Sequence, residues 1–171
     1  MTIRYTRLDT PLGQMLARSE DGALVGLHFA DEARAPAPAS DWTHAPDDPL
    51  LGQLASQLRD YFAGRLRVFE LPLRPVGTAF QLRVWSLLRE IPHGVTTSYG
   101  AMARRLGSPG AMRAVGAANS RNPLAIVIPC HRAIGADGSL TGYAGGLQRK
   151  RALLDIEGAL AGKGGATRAL F

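Results

Sequence analysis

The chain has 171 residues, 46% of them hydrophobic and 20% charged, with a formal net charge of +6. That is enough apolar material for one good core or two small ones and too much for a disordered chain. No apolar stretch of ~18 residues is present, and the opening MTIRYTRLDT lacks the apolar run of a secretory signal, so neither export nor membrane insertion is expected.

The lone cysteine, Cys130, excludes an internal disulfide or a multi-cysteine zinc site, and His28, His44, His93 and His131 show no metal-ligand spacing. No metal or cofactor is expected, and a reducing cytoplasm suits the thiol. Charge is uneven: residues 1–80 carry 8 Arg against 10 acids, residues 81–171 carry 12 Lys and Arg against 4. The basic half points to a nucleic-acid partner; with only 2 of the 20 basic residues Lys, an arginine-rich coding bias is the alternative reading, and charge alone does not decide between them.

In chain order, IRYTRLDTPLGQMLARSEDGALVGLHFA has short apolar runs split by TPLG and EDGA, predicting a hairpin or meander over 2–30. DEARAPAPASDWTHAPDDP holds too many breakers for a helix or central strand. PLLGQLASQLRDYFAG spaces Leu50, Leu51, Leu54, Leu58, Tyr61 and Phe62 as a helix stopped at Gly64. LRVFELPLRPVG predicts a strand and then a linker, with a domain boundary near residue 76.

The second half predicts short helices. TAFQLRVWSLLREIP places Phe80, Val84, Leu87 and Leu88 on one face behind Thr78 as N-cap. Helices over 98–106 and 111–119, joined by Gly-Ser-Pro-Gly, form a helix-turn-helix pattern, equally readable as plain packing. The second of them, AMRAVGAA, is nearly all small residues and allows close approach of its backbone to a partner. LAIVI, ended by Pro129, predicts a buried strand that delivers Cys130. An Asp137-Gly138 turn between short extended pieces predicts a hairpin wing over 133–146. LQRKRALLDIEG predicts a last helix with Leu147, Leu154 and Ile156 in register and Gly158 as its stop, and 161–171 is expected to be a flexible tail.

A cysteine beside a histidine is open to several readings. A buried, inert thiol is one. A papain-like pair fits poorly, because neighbouring side chains diverge. A bridging water would let His131 draw the Cys130 proton, with a carboxylate fixing the ring's other nitrogen. Glu157, at the unfavourable end of its helix dipole, is the candidate.

IPCHR, with RAVGAANSRNP upstream and GYAGGLQRKRALLDIEG downstream, resembles the O6-alkylguanine-DNA alkyltransferase family, the methylated-DNA–protein-cysteine methyltransferases. The resemblance covers 78–158 closely and the first 75 residues loosely. It implies an α/β N-terminal domain of ribonuclease-H-like topology over 1–76 and a mainly α, winged helix-turn-helix domain over 77–160. It also implies a direct-reversal repair reaction that moves an alkyl group from O6-alkylguanine, and from O4-alkylthymine, to the protein's own cysteine after base flipping. Each molecule would act once, as a monomer on double-stranded DNA, with clustering along the DNA left open.

Carried over by residue, Cys130 is the acceptor, polarised through water by His131, which Glu157 orients. Asn122 resembles the hinge between recognition helix and active-site strand. Arg113 resembles the residue that fills the vacated stack, and Tyr99 the one that pushes the neighbouring phosphate, with Ala114 and Gly116 at the DNA. Tyr143 matches a donor to guanine N3, and Lys150 and the Ala144 amide the remaining polar edge of the pocket. Two departures stand out: Met112 where the family has a small residue, and Ala144 where some members have Ser. Of the competing classes, a winged-helix transcription factor has no need of IPCHR, the damage-sensor homologues lack the cysteine, and a two-function adaptive regulator requires a cysteine-rich zinc domain.

Overall fold

Turn chemistry sets the first sheet of the computed structural model, which describes residues 2–160. The Thr10 hydroxyl donates to the Gly13 carbonyl at 2.7 Å and accepts from the Leu12 amide at 3.1 Å, while Gly13 takes a φ of 124° that a side chain would strain. This turn joins β1 (Arg4–Thr10) to β2 (Gly13–Glu20), and a second turn leads to β3 (Ala23–Phe29), an antiparallel meander with Tyr5 opposite Arg18 and Met15 opposite Phe29. From inside the proline-rich loop, the two-residue β4 (Thr43–His44) pairs parallel to β1, giving the order β3-β2-β1-β4. The breakers of that loop confine it to a short edge strand.

α1 (Pro49–Phe62) starts at Asp48, whose carboxylate accepts from the Leu51 amide at 3.1 Å, and buries Leu51, Leu54, Leu58 and Tyr61. The strand expected in LRVFELPLRPVG does not form. Leu73 makes only an isolated parallel bridge to Leu24, through Leu24 N to Pro72 O and Arg74 N to Leu24 O, both 2.8 Å. Pro72 and Pro75 have no amide hydrogen to extend that ladder.

The chain divides into two compact units: Met1–Val76 with Pro123–Ala125, and Gly77–Asn122 with the chain from Ile126 onward. The strand expected in LAIVI is therefore corrected. Leu124 bridges to Leu27 within the first unit, with Leu27 N to Pro123 O at 2.8 Å and Ala125 N to Leu27 O at 3.0 Å. Residues 125–127 then turn, with Ile126 at φ 72°. A β-branched residue in that region is strained by about 1–3 kcal/mol, held here by complete burial of the run. Apolarity reported the burial of this segment, not its conformation.

In the second unit α2 (Ala79–Leu88) begins with a capping box between Thr78 and Gln81. A side chain at Gly77 would lie 2.5 Å from the Trp85 ring, so only glycine lets the chain pass there. Trp85 is buried and its indole N–H donates to Ala118 O at 2.8 Å, which fastens α2 to α4 (Met112–Ser120). α3 (Tyr99–Arg105), capped by Ser98, packs against α4 as the first helix of the helix-turn-helix.

The expected hairpin wing is corrected as well. The Asp137-Gly138 turn is there, with Gly135 N bonded to Ser139 O at 2.8 Å and the Asp137 carboxylate accepting from the Ser139 amide at 3.0 Å. The strand before it, β6 (Ala133–Ile134), pairs instead in parallel with β5 (Thr97–Ser98), and residues 140–146 run as loop. With glycine at 142, 145 and 146 there are few side chains to pack a returning strand. α5 (Leu147–Ile156) buries Lys150, Leu153 and Leu154, whereas Leu147 is 49% exposed, so its inward stripe differs from the expected one. The tail expectation for 161–171 lies outside the described residues.

Candidate active site

Pro129 ends the apolar run, and residues Cys130–Arg132 close into a single 3-10 turn against α5. Three consecutive side chains are thereby buried together: Cys130, His131 and Arg132. Glu157, the C-cap of α5, meets them, with His131 Nε2 2.7 Å from its Oε2 and both side chains fully buried. Arg132 grips the same carboxylate, Nε to Oε1 at 2.8 Å and Nη2 to Oε2 at 3.0 Å, and donates Nη1 to Ile91 O at 2.6 Å.

This wiring decides protonation. Burial alone would raise the Glu157 carboxyl, but the hydrogen bonds from His131 and Arg132 and the Arg132 charge outweigh it and hold the group far below its ordinary range. Burial pushes the His131 imidazole down, Arg132 and Lys150 add to that, and Glu157 opposes it without reversing it. The ring is therefore neutral at pH 7, donates from Nε2 to the carboxylate, and keeps Nδ1 as a bare acceptor. Nδ1 is buried and has no hydrogen-bond partner among the described residues.

A cleft of about 210 Å³ is lined by Tyr99, Gly116, Asn119, Ser120 and the 141–144 loop, including Tyr143 and Ala144. Its volume falls below the ~300 Å³ at which drug-sized sites begin, on the scale of one heterocycle. Cys130 is not part of its lining, but Asn119 connects the two: its Nδ2 donates to Cys130 O at 3.2 Å. Asn122 Nδ2 donates to Ile128 O at 2.7 Å, tying the end of α4 to the segment just before the thiol.

Lys150 is placed behind the cleft wall. It is fully buried, and its ammonium donates to Ala133 O at 2.6 Å, Thr141 O at 2.7 Å, Gly142 O at 3.1 Å and the Tyr99 hydroxyl at 3.2 Å. Burial lowers its pKa to about 8. The Tyr99 hydroxyl in turn donates to Thr141 O at 2.9 Å, and burial raises its pKa. Lys150 and Tyr99 together thus anchor the loop that forms one wall.

On α4, Arg113, Ala114 and Ala117 are exposed and Met112 is 54% exposed, its sulfur packed over Gly100 of α3. Gly116 is half-buried, and a side chain there would meet nothing within 4 Å. A helical glycine costs about 1 kcal/mol relative to alanine, so the open space above it reads as room for something outside the chain.

Sequence reasoning missed Arg132 and Asn119. Arg132 stands inside IPCHR, and its signal was a charge adjoining two residues already singled out. Asn119 follows Val115 by one helical turn, so a polar residue on the inward face of α4 was the signal.

A buried Cys-His-Glu-Arg cluster lies in a unit that also presents a helix-turn-helix, the pairing of a thiol site with the architecture of nucleic-acid-binding proteins. The family model for the 6-O-methylguanine DNA methyltransferase DNA-binding domain matches residues 79–159, and that for the ribonuclease-like domain of the same proteins matches 3–75. The chain belongs to this family, the methylated-DNA–protein-cysteine methyltransferases, enzymes of direct-reversal DNA repair. It is 46% identical over 155 residues to the methylated-DNA–protein-cysteine methyltransferase of Mycobacterium bovis, covering 91% of this chain and 92% of that one, and 43% identical over 154 residues to that of Methanosarcina acetivorans, covering 90% and 97%. The crystal structure of Mycobacterium tuberculosis OGT in complex with DNA superposes with a TM-score of 0.81 at 44% identity, covering 92% of this chain and 93% of that one.

Proposed function

We propose that Cys130 accepts the alkyl group of O6-alkylguanine in duplex DNA, once per molecule. The observation that carries this reading is the His131 ring, pinned at Nε2 by Glu157 with Nδ1 left as a buried acceptor one residue from the thiol. In the proposed reaction a water passes the Cys130 proton to Nδ1, and the thiolate attacks the O-alkyl carbon. The S–C bond forms as the C–O bond breaks, and guanine leaves as an anion that takes a proton in the pocket, with Tyr143 donating to N3 and the Ala144 amide facing O6. The product thioether offers no carbonyl to hydrolyse, so the step is irreversible.

Attack requires the nucleotide to leave the stack, at a cost of a few kcal/mol. Arg113, exposed on α4, is the proposed occupant of the gap, with Ala114 and Gly116 admitting the backbone and Tyr99 against the neighbouring phosphate. Asn122 is the proposed hinge tie. Residues 77–160 form the proposed acceptor domain and 1–76 its α/β companion, and the protein works as a cytoplasmic monomer with O4-alkylthymine as a further substrate.

The test is Cys130→Ser. It is expected to lose alkyl transfer from an O6-methylguanine duplex while keeping its DNA affinity within about threefold, since the proposed contacts to DNA do not involve sulfur. Retained transfer, or a folded variant that no longer binds DNA, contradicts the separation of roles.

A further inference from the structure

In the first unit, β1 is paired along its whole length on one side and only at its start on the other. β2 runs beside it from Arg4 to Thr10, whereas β4 reaches only Arg4 and Tyr5, through Thr43 N to Ile3 O and Ala45 N to Tyr5 O, both 2.8 Å. Backbone groups alternate between the two edges of a strand, so the N–H and C=O of Arg7 and Asp9 continue the row that Ile3 and Tyr5 begin. No strand among the described residues pairs with them there. A cleft of about 470 Å³ is lined by this open edge and by α1, with Leu8, Ala55, Leu58 and Phe62 as its apolar wall. That volume lies within the ~300–1,000 Å³ range of ligand sites. Arg59, exposed, lines the same cleft. Arg7 projects from the face of the strand opposite to Leu8, its guanidinium 5.9 Å from the Tyr5 ring. Neither arginine has a carboxylate partner among the described residues.

We infer that β1 and α1 form a docking groove for an extended segment of a partner protein, which adds to the sheet as a strand beside β1 and carries apolar side chains alternating with polar ones, an acid among them. An unpaired row of N–H and C=O groups is matched by another backbone in extended form, the mode in which a peptide joins an exposed sheet edge. Period-two alternation then dictates the side chains. One set falls on the Leu8 face, into the apolar cleft, and the other on the Arg7 face, where an acid beside Arg7 forms a cross-strand ion pair. Arg59 adds to the preference for an anionic segment. Asp9 shares the Arg7 face and accepts from Gln14 Nε2 at 3.4 Å, so the acid belongs at the Arg7 end of the groove and an uncharged residue beside Asp9. The groove lies wholly within the first unit, which contains none of Cys130, His131, Arg132 and Glu157.

The test uses the full chain and a fluorescein-labelled, C-terminally amidated heptapeptide, Thr-Val-Glu-Leu-Thr-Val-Thr, with binding followed by fluorescence anisotropy. Saturable binding with a Kd below about 100 μM is expected, weakened about fivefold when Lys replaces the peptide's Glu. Arg7→Glu, an exposed substitution, is expected to reverse that preference. Ala55→Trp, which fills the cleft, is expected to abolish binding in a protein whose thermal transition shows it folded. Methylating the backbone amides of one alternate set of peptide residues is expected to abolish binding and methylating the other set to leave it, because only one set of N–H groups faces β1. No saturable binding to wild type, equal effects of the two methylated peptides, or a preference for Glu that survives Arg7→Glu overturns the inference. Displacement of the peptide by unmodified duplex DNA, weakened in Arg7→Glu, would assign the arginine to phosphate and overturn it as well. Alkyl transfer by Arg7→Glu is expected to stay within about twofold of wild type, so loss of the groove and loss of the thiol chemistry are read separately.

Discussion

His28 and His131 are both buried histidines, one in each unit, and each has an arginine nearby. Arg18 lies across Gly26 with its guanidinium 5.2 Å from the Trp42 ring, and no carboxylate contacts it among the described residues. Burial, with Arg18 adding to it, pushes the His28 pKa down to about 4. His131 is also pushed down by burial, but Glu157 sits on its Nε2 and is itself clamped by Arg132. The carboxylate is the difference: His28 is locked neutral with nothing to stabilise an imidazolium, while His131 rests neutral and has a fixed anion ready should it take a proton. A buried imidazole becomes a usable base through its third partner, not through burial.

The largest effect should come from removing that partner's charge. Glu157→Gln is expected to slow transfer at pH 7 by about 10²-fold, and raising the pH should recover part of the rate as hydroxide ionises the thiol without the relay. A pH-rate profile identical to wild type in a folded variant would mean that Glu157 is only a helix-end charge. The same carboxylate supports the fold. Its folded pKa lies below its unfolded value, so its stabilisation is complete above the ordinary carboxyl pKa of 4.5 and is lost as pH falls below that. Denaturant midpoints should therefore drop below pH 4.5 in wild type and less steeply in Glu157→Gln. At neutral pH that variant should be less stable by about 3–5 kcal/mol, because Arg132 is left buried without its anion.

A smaller and more selective loss is expected on the exposed face of α4. Arg113→Ala should slow repair of a duplex lesion about tenfold and leave reaction with free O6-benzylguanine nearly unchanged, since the free base needs no flipping. Equal losses on both substrates would move Arg113 from the DNA to the support of the pocket.

The smallest effect should be at the other histidine. His28→Phe is expected to change the transfer rate by less than about twofold. Because the His28 pKa falls from an ordinary 6.5 to about 4, the unfolded chain binds the extra proton, and stability is lost as pH falls from 6.5 towards 4. The variant should lose that portion of the acid sensitivity. Thermal unfolding between pH 7 and 4 checks it, and a transfer rate reduced tenfold would abolish the contrast between the two histidines.

Much of this was legible in the residues. The meander was readable because TPLG and EDGA can only turn, and α1 because its leucines repeat at helical spacing up to Gly64. Cys130, His131 and Glu157 were legible because adjacency, a helix-end acid and a resemblance pointed to the same cluster. LAIVI was not, since an apolar run states that it is buried and leaves open whether it extends or turns; here Leu124 is drawn to Leu27 and the chain reverses at Ile126. The segment around Leu73 looked like a strand by composition, and the prolines on either side decided otherwise. Lys150 was placed at the polar edge of the pocket by the resemblance alone; its four hydrogen bonds, to Ala133 O, Thr141 O, Gly142 O and the Tyr99 hydroxyl, depend on partners that no local pattern reports. Arg132 and Asn119 escaped because their roles depend on partners 25 and 11 residues away, which no local pattern reports.

The thiol next to the His131–Glu157 pair is proposed as a single-use acceptor. Intact-mass and peptide analysis after incubation with an excess of O6-methylguanine duplex tests it most directly. One added methyl group, located on Cys130, and one lesion repaired per protein molecule are expected. Lesions repaired in excess of the protein, or a methyl group found on any other residue, would contradict it.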